Sequence, residues 1–349
     1  MDDEDGRAQF AGVTATGVVE VRHDLVALDE PGFWVVVDTF ERELTAVRMR
    51  SVEYLKHPDA AGVVEPLVAD PDLSAWSSSL DRSAYERGVR AIRDRIAAGE
   101  VYQVNLCRVL SRAVPGGFSM AELDRLVRQA NPAPRHGYID IPHARLEVVC
   151  ASPELYLRRS GDRVRSAPIK GTAPTVEELL PKDRTENVMI TDLVRNDLSA
   201  VCRPGTVAVD ALLAPQYNLG LVHLESAVSG QLDQGAQWAD ILGATFPPGS
   251  VSGAPKSSAL TAIRDLEPVE RGPYCGAIGY VDNDQGTASL AVGIRTFWLE
   301  HDRGGTRWLR YGTGAGITWG SDPAGEWWET ALKARRLLAL AESVIARSE

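Results

Sequence analysis

The sequence has few cysteines, and they are too scattered for a disulfide framework or a zinc site. The 349 residues include four cysteines at positions 107, 150, 202 and 275, with no Cys-x-x-Cys pair and no histidine at zinc-ligand spacing. We therefore predict buried thiols in a protein of the reducing cytoplasm.

The sequence also lacks long apolar runs and has fewer basic than acidic residues. No stretch approaches the roughly 20 apolar residues that span a bilayer, and the acidic residues 1–6 lack the pattern of a signal peptide. The 37 basic residues are outnumbered by 48 acidic ones, which gives a formal net charge of −11. Because nucleic-acid binding requires a basic face, we predict neither a nucleic-acid nor a membrane partner. An anionic small substrate stays compatible, since one basic pocket can lie in an acidic protein.

Lysine is the least common charged side chain, with five lysines against 32 arginines. One of them, Lys170, lies in the segment Ser166-Ala-Pro-Ile-Lys-Gly-Thr172. Arginine keeps its proton, whereas a desolvated lysine amine can lose it and act as a nucleophile or a base. The alternative is a lysine at a strand end whose amine reaches water, as most lone lysines do. The surroundings of Lys170 favour the chemical interpretation.

The hydrophobic pattern predicts an α+β fold with two antiparallel β-sheets. Short β-like runs are typical of two meanders, and they cover residues 148–151, 155–159, 163–168, 276–281, 288–299 and 308–311. Capping boxes at Ser83-x-x-Glu86 and Ser119-x-x-Glu122 predict two helices. Further helices are predicted at 183–201 and from Pro323, which Asp322 caps, to about residue 346. We predict a short β-rich subdomain at residues 1–80 and a catalytic region at 81–349 that packs as one globular unit.

Four acidic residues form two pairs with the same spacing. Asp183 and Glu186 lie three residues apart on one predicted helix, and Glu326 and Glu329 lie three apart on another. Residues at this spacing share a helix face, so two facing pairs would form an oxygen-ligand site suited to Mg²⁺. Solvated helix faces are the alternative. The neighbouring Trp327-Trp328 pair favours a buried setting.

Two glycine-rich segments could bind an anion. Gly312-Thr-Gly-Ala-Gly316 follows a predicted strand, where its N–H groups could converge on a carboxylate, although a plain glycine turn is an equal alternative. Residues 249–257 resemble a phosphate loop, but Ala254-Pro255 interrupts the Gly-Lys pair, which excludes a nucleotide site. Pro255 is predicted to begin a helix at 256–266, which leaves Ser252 near its positive end.

Three further side chains are candidates for contact with a substrate. Arg295, in the apolar run 289–296, lies among small residues that would leave its guanidinium free to bind a carboxylate. Glu154 follows a strand break and is placed well for a general acid. His223 could equally be a core histidine with one satisfied nitrogen.

Taken together, these segments resemble the chorismate-utilising enzymes, and among them the aminodeoxychorismate synthases. The matching pieces occur in family order over about residues 83–345. They are Gly99-Glu-Val-Tyr-Gln-Val-Asn105, Ala151-Ser-Pro-Glu154, Pro168-Ile-Lys-Gly-Thr172, residues 182–198, Phe246-Pro-Pro-Gly-Ser-Val-Ser-Gly-Ala-Pro-Lys256, Arg271-Gly-Pro-Tyr-Cys-Gly276, Gly293-Ile-Arg-Thr296 and Gly314-Ala-Gly-Ile317 through Glu329. The resemblance implies two sheets packed together with helices on the outside.

Two positions sort this family by reaction. The resemblance implies that the water-using relatives carry a lysine base at the position of Gln103. Because glutamine cannot usefully accept a proton, a reaction that activates water is disfavoured. Anthranilate synthases typically carry alanine at the position of Lys170, which is similar to the covalent nucleophile of aminodeoxychorismate synthases. Both positions indicate one subfamily.

The resemblance implies conversion of chorismate and ammonia to 4-amino-4-deoxychorismate for 4-aminobenzoate and folate synthesis. Lys170 would be the nucleophile and Glu154 the general acid. Mg²⁺ would be bound by Glu186 and Glu329, with Asp183 and Glu326 helping to place it. The implied substrate-binding residues are Gly171, Thr172, His223, Ser252, Tyr274, Arg295, Gly314, Ala315 and Gly316.

No segment resembles a glutaminase, so ammonia is expected from a separate glutamine amidotransferase subunit. Three alternatives remain: an anthranilate synthase component I, which aminates C2 of chorismate; a water-using isomerase or lyase; and a non-catalytic subunit that only docks the amidotransferase. The sequence leaves open the oligomeric state, and whether the product enters folate or a secondary metabolite.

Overall fold

The computed structural model describes residues 6–55, 73–179, 181–218 and 221–348. Within these ranges the chain forms an α+β fold, as predicted. The strands are β1 (Arg7–Phe10), β2 (Val13–Arg22), β3 (Phe33–Asp38), β4 (Leu44–Tyr54), β5 (Ser77–Ser78), β6 (Gln103–Val114), β7 (Arg135–Ile141), β8 (Leu146–Ser152), β9 (Leu155–Ser160), β10 (Arg163–Ala167), β11 (Ile169–Ala173), β12 (Ala208–Asn218), β13 (Leu221–Gln231), β14 (Gly253–Ala254), β15 (Ala277–Asp282), β16 (Thr287–Val292), β17 (Thr296–His301) and β18 (Arg307–Ile317). The α-helices are α1 (Arg82–Ala97), α2 (Met120–Ala130), α3 (Pro181–Ser199), α4 (Trp238–Thr245), α5 (Gly249–Ser252), α6 (Lys256–Leu266) and α7 (Pro323–Ser348).

Antiparallel hydrogen bonds join the described strands into one network of 18 strands. The predicted separation into two packed sheets is therefore not confirmed. The amino-terminal strands belong to the same network, because β1 pairs with β7 and β3 pairs with β15. No helix in the described ranges is long and apolar enough to cross a membrane. All four cysteines are buried and free, as expected.

Two helices pack on one face of the sheet because their apolar residues recur at helical spacing. Helix α2 buries Leu123 and Val127, and α7 buries Leu338, Ala341 and Val344 in the same apolar cluster. The helix starts predicted at Ser119 and Asp322 are confirmed, since each side chain accepts a backbone N–H of the first turn. The capping box predicted at Ser83 is wrong. Helix α1 begins at Arg82, and its cap is Asp81, two residues before Ser83. The Asp81 carboxylate accepts the N–H of Ala84 at 2.7 Å.

Two predictions about strands 288–299 and 308–311 need correction. The first run is not one strand, because the chain breaks between β16 and β17 and Arg295 takes a left-handed φ of 54°. Such a conformation is costly for a residue with a Cβ, and it marks a position that the surrounding structure constrains. The second strand does not stop before the glycine segment, because β18 continues through Ile317 and pairs with β6 along its length. Gly312–316 is therefore strand and not a turn.

Candidate active site

Lys170 lies in the middle of β11, and its amine is held inside the protein. The Nζ atom lies 2.7 Å from Oε1 of Glu186 and donates to the backbone carbonyl of Ser250 at 2.8 Å. The lysine side chain is 12% exposed. The amine therefore does not extend into water, which was the plainer interpretation of this residue.

Glu154 lies between β8 and β9 and is 4% exposed. Burial raises the pKa of Glu154 to about 7, although a hydrogen bond from Ser250 and the charge of Lys170 act in the opposite direction. A carboxyl with this pKa is protonated in a large share of molecules near neutral pH. It can therefore donate a proton, which is the property that a general acid needs.

Replacing Glu154 by glutamine is expected to stabilise the protein at alkaline pH. The carboxyl has a raised pKa of about 7 in the folded state, against 4.5 for an unperturbed glutamate. Its stabilising contribution is complete below pH 4.5 and is lost as the pH rises through 7. The gain on substitution should reach at most about 3 kcal/mol above pH 7 and vanish in acid. Urea unfolding across this range measures it, and a gain independent of pH would contradict the assigned pKa.

Glu186, on α3, is the centre of a polar cluster. Its Oε1 atom accepts a hydrogen bond from Nε2 of Gln103 at 2.5 Å in addition to the contact with Lys170. Burial raises the pKa of Glu186, but Lys170 and Gln103 together lower it below its usual value. The cluster lies directly over Gly316, where an added Cβ would meet Gln103 Nε2 at 2.3 Å and Glu186 Oε1 at 2.8 Å.

Replacing Gly316 by alanine is expected to displace these side chains while the sheet stays folded. A shift of about 1 Å in a catalytic group can lower the rate about a hundredfold. Gly320→Ala is the matched control, because a Cβ at Gly320 meets nothing within 4 Å. Turnover and melting temperature of both variants provide the test. Equal turnover in the two variants would show that the cluster is not part of the active site.

The predicted metal-binding acids are present, but lysines contact two of them. Glu186 pairs with Lys170, and Glu329 pairs with Lys333 at 2.7 Å. Burial raises the pKa of Glu329, but Lys333 and Lys182 together hold it below its usual value against the opposing charge of Glu186. In the described ranges no group of three or more His, Cys, Asp or Glu is arranged as a metal site.

The other member of each acid pair, Glu326 or Asp183, lies in a different environment from the two acids that contact lysines. Glu326 is buried and accepts the hydroxyl of Ser321 at 2.6 Å, and burial raises its pKa. Asp183 packs against Gly171, whose φ of 76° and close approach both require glycine. The mutual repulsion of Glu186 and Glu329 is what a divalent cation would relieve, and their oxygens are suitable ligands for Mg²⁺. The chemistry of these donors therefore suits Mg²⁺, although in the described ranges they are not gathered around one point.

The predicted substrate-binding side chains lie close together at the strand break. Burial and the charge of Arg295 lower the pKa of His223 to about 4, so the imidazole is neutral at physiological pH. Arg295 also lies near the buried Tyr311, and burial lowers the pKa of the guanidinium. Tyr274 is buried with its ring against Gly312, where a Cβ would lie 2.0 Å from the ring.

The remaining predicted residues either lie on strands, where their backbone is the relevant group, or form a hydrogen bond within their own turn. Gly171 and Thr172 follow Lys170 on β11. Gly314, Ala315 and Gly316 pair with β6, and the carbonyl of Gly314 accepts a hydrogen bond from Lys333 at 3.1 Å. The hydroxyl of Ser252 donates to the carbonyl of Pro248 within its own turn. Of the nearby serines it is Ser250 that contacts Lys170.

The sequence analysis missed three residues of this site: Asn105, Ser250 and Lys333. Ser250 contacts Lys170 through its backbone carbonyl and Glu154 through its hydroxyl, and no sequence pattern identifies the carbonyl contact. Asn105 could have been found, because it lies two residues after Gln103 on the same strand and therefore on the same face. Lys333 follows Glu329 at i+4, a spacing typical of helical ion pairs.

Comparison with known proteins identifies the family. Residues 23–339 match the model of the chorismate binding enzymes. The chain is 37% identical over 282 residues to anthranilate synthase component 1 of Streptomyces coelicolor, covering 77% of this chain and 53% of the relative. It is 36% identical over 285 residues to aminodeoxychorismate synthase component 1 of Klebsiella aerogenes, covering 77% of this chain and 60% of the relative.

The fold agrees with solved structures at low sequence identity. A protein of Bacillus anthracis described as a 2,3-dihydroxybenzoate-specific isochorismate synthase superposes with a TM-score of 0.79 at 21% identity, over 98% of this chain and 97% of that one. Because residues 23–339 match the family model, the chain belongs to the chorismate binding enzymes. It spans 53% and 60% of the length of the two curated relatives named above.

Proposed function

We propose that this chain is component I of an aminodeoxychorismate synthase, which converts chorismate and ammonia to 4-amino-4-deoxychorismate. The observation that carries the proposal is the buried amine of Lys170, adjacent to Glu186 and beside Glu154 with its pKa of about 7. Relatives with either aminating activity in their names match at similar identity. The choice between them therefore depends on Lys170, while Gln103 argues against a water-using enzyme.

In the proposed reaction the unprotonated form of the Lys170 amine is the nucleophile. It forms a bond to C2 of the chorismate ring, the ring double bond shifts, and the C4–O bond breaks. Glu154 gives its proton to the departing hydroxyl, which leaves as water. Ammonia then attacks C4, the double bond shifts back, and the bond between C2 and Lys170 breaks with its electron pair returning to the amine. The surplus proton of the new C4 ammonium group returns to Glu154, which restores both groups.

The charged groups at the strand break would hold the substrate. Arg295 presents its guanidinium at the strand break, near His223 and Tyr311, and this planar group is suited to bind a carboxylate of chorismate in two hydrogen bonds. Neutral His223 and the hydroxyl of Tyr274 would contribute polar contacts, together with Gly171, Thr172, Ser252 and the backbone of residues 314–316. Mg²⁺, bound by Glu186 and Glu329 with Asp183 and Glu326, would stabilise negative charge on the ring carboxylate.

Ammonia would reach this site from a separate glutamine amidotransferase, since the matching relatives are named as component 1 of their enzymes. The product would serve 4-aminobenzoate and folate synthesis in the cytoplasm.

Product identification tests the proposal. The purified chain is incubated with chorismate, Mg²⁺ and a high concentration of ammonium. The products are separated by chromatography and identified by their mass. An aminated ring that keeps its enolpyruvyl group, and that an added lyase converts to 4-aminobenzoate, is the expected result. Fluorescent anthranilate would support the second candidate, an anthranilate synthase component I, which the name of the 37% identical relative favours.

Mg²⁺ is expected to raise the melting temperature of the protein even without substrate. Binding to the folded state alone stabilises it in proportion to the logarithm of ligand concentration. Glu186→Gln and Glu329→Gln should each remove most of this shift. Glu300→Gln, on the exposed end of β17, is the control. A shift that persists in both active-site variants would place the cation elsewhere.

A further inference from the structure

Two buried amide side chains beside Lys170 each have an oxygen without a hydrogen-bond partner. Gln103 is fully buried and Asn105 is 8% exposed. In the described part of the chain, nothing donates to Oε1 of Gln103 or to Oδ1 of Asn105. Both residues lie on β6, two positions apart, so their side chains share one face of the sheet. Unpaired buried polar groups are rare and call for a structural or functional reason.

The orientation of each amide is fixed by its partner. Nε2 of Gln103 donates to the Glu186 carboxylate at 2.5 Å, and Nδ2 of Asn105 donates to the Ser250 carbonyl at 2.8 Å. A carboxylate and a carbonyl can only accept, so turning either amide over would set two oxygens against each other. The unpaired atoms are therefore oxygen acceptors, and each can accept a hydrogen bond from a bound donor.

The side chains of Gln103, Asn105 and Glu186 meet at Gly316. The position of a Cβ on Gly316 would lie 2.3 Å from Gln103 Nε2, 2.8 Å from Glu186 Oε1 and 3.0 Å from Asn105 Oδ1. Lys170 Nζ contacts the same Glu186 oxygen and the same Ser250 carbonyl that the two amides use. The unpaired acceptors and the reactive amine thus belong to one connected cluster.

We propose that Oε1 of Gln103 and Oδ1 of Asn105 form the subsite for the ammonia that attacks the ring, an inference that rests on the proposed function. Ammonia has three N–H donors and one lone pair. Two N–H groups would donate to the two amide oxygens, and the lone pair would stay free to form the bond to C4. The pair of electrons in the bond between C2 and Lys170 returns to the amine, and the surplus proton of the new C4 ammonium group returns to the Glu154 carboxylate that protonated the leaving hydroxyl. Neither amide can remove a proton from water, so a water molecule bound there is not activated.

Kinetics of two variants test the subsite. Asn105→Leu and Gln103→Met keep the approximate size of each side chain and remove its acceptor. We expect the KM for ammonium to rise about tenfold in each, the usual consequence of losing one hydrogen bond to a ligand. The KM for chorismate should change by less than about twofold on the same grounds. Asn131→Leu is the matched control, since Asn131 is equally buried but lies at the end of α2.

A second measurement separates failure of the subsite from failure of the proposed function. The melting temperature of the unsubstituted chain is compared in ammonium chloride and in tetramethylammonium chloride at equal ionic strength, because tetramethylammonium has no N–H donor. Stabilisation by ammonium that both variants lose supports the subsite, even if no amination occurs and the proposed function fails. Amination with an unchanged KM for ammonium in both variants overturns the subsite and leaves the function intact. Equal increases in both KM values would also overturn it, by showing only a structural role.

Discussion

Replacing Lys170 by arginine is expected to lower the formation of 4-amino-4-deoxychorismate by about three orders of magnitude or more, the usual range for loss of a covalent nucleophile. Arginine preserves the positive charge that contacts Glu186 and the Ser250 carbonyl. It cannot supply a neutral amine, because the guanidinium stays protonated. Steady-state rates with saturating chorismate and ammonium measure the effect.

Comparison of two substitutions identifies what Lys170 contributes. Lys170→Ala removes both the charge and the nucleophile, and it opens the route to direct attack of ammonia on C2. We expect residual product of the alanine variant to shift toward anthranilate. If the arginine variant keeps substantial activity, Lys170 acts only through its charge, and the covalent mechanism is wrong.

Replacing Glu154 by glutamine is expected to lower kcat by about 10²–10⁴-fold, the typical contribution of a general acid. The pH dependence should change as well. Because the acid must be protonated and its pKa is about 7, activity of the unsubstituted protein should fall as the pH rises through 7. The glutamine variant has no proton to lose at this position. Its residual activity should therefore lack that alkaline decrease.

Glu225→Gln provides the control for this pH profile. Glu225 is a half-buried acid on β13, and burial raises its pKa too, but it is not among the proposed catalytic groups. It should keep the alkaline decrease in activity, moved slightly to lower pH because the charge of Glu225 contributes to the raised pKa of Glu154. Loss of the alkaline decrease in Glu225→Gln, or its retention in Glu154→Gln, would remove Glu154 from the role of general acid.

The sequence predicted elements where local signals and packing agree. The helix at 256–266 begins after Pro255 as expected, and α2 begins where Ser119 caps it. The predictions failed where distant contacts decide the conformation. The run 288–299 reads as one strand by β-propensity, yet the left-handed turn at Arg295 interrupts it. The glycines at 312–316 predicted either an anion-binding segment after the strand or a plain turn, yet pairing with β6 holds them in the strand.

Site residues that act through their side chains could be predicted from the sequence. Those that act through a backbone carbonyl could not. The rarity of lysine drew attention to Lys170, and the spacing of Asp183 and Glu186 drew attention to α3. The contact between Lys170 and Glu186 joins residues 16 positions apart on different elements, so no local pattern reveals it. The carbonyl of Ser250, 80 positions away, likewise becomes visible only in the folded chain.

Mass measurement of the peptide that contains Lys170, after rapid quenching of the reaction with chorismate, tests the covalent mechanism most directly. The account predicts an adduct on Lys170 with the mass of chorismate less one water, which disappears when ammonia is added and is absent in Lys170→Arg. Formation of 4-amino-4-deoxychorismate by a chain that never carries this adduct would contradict the account.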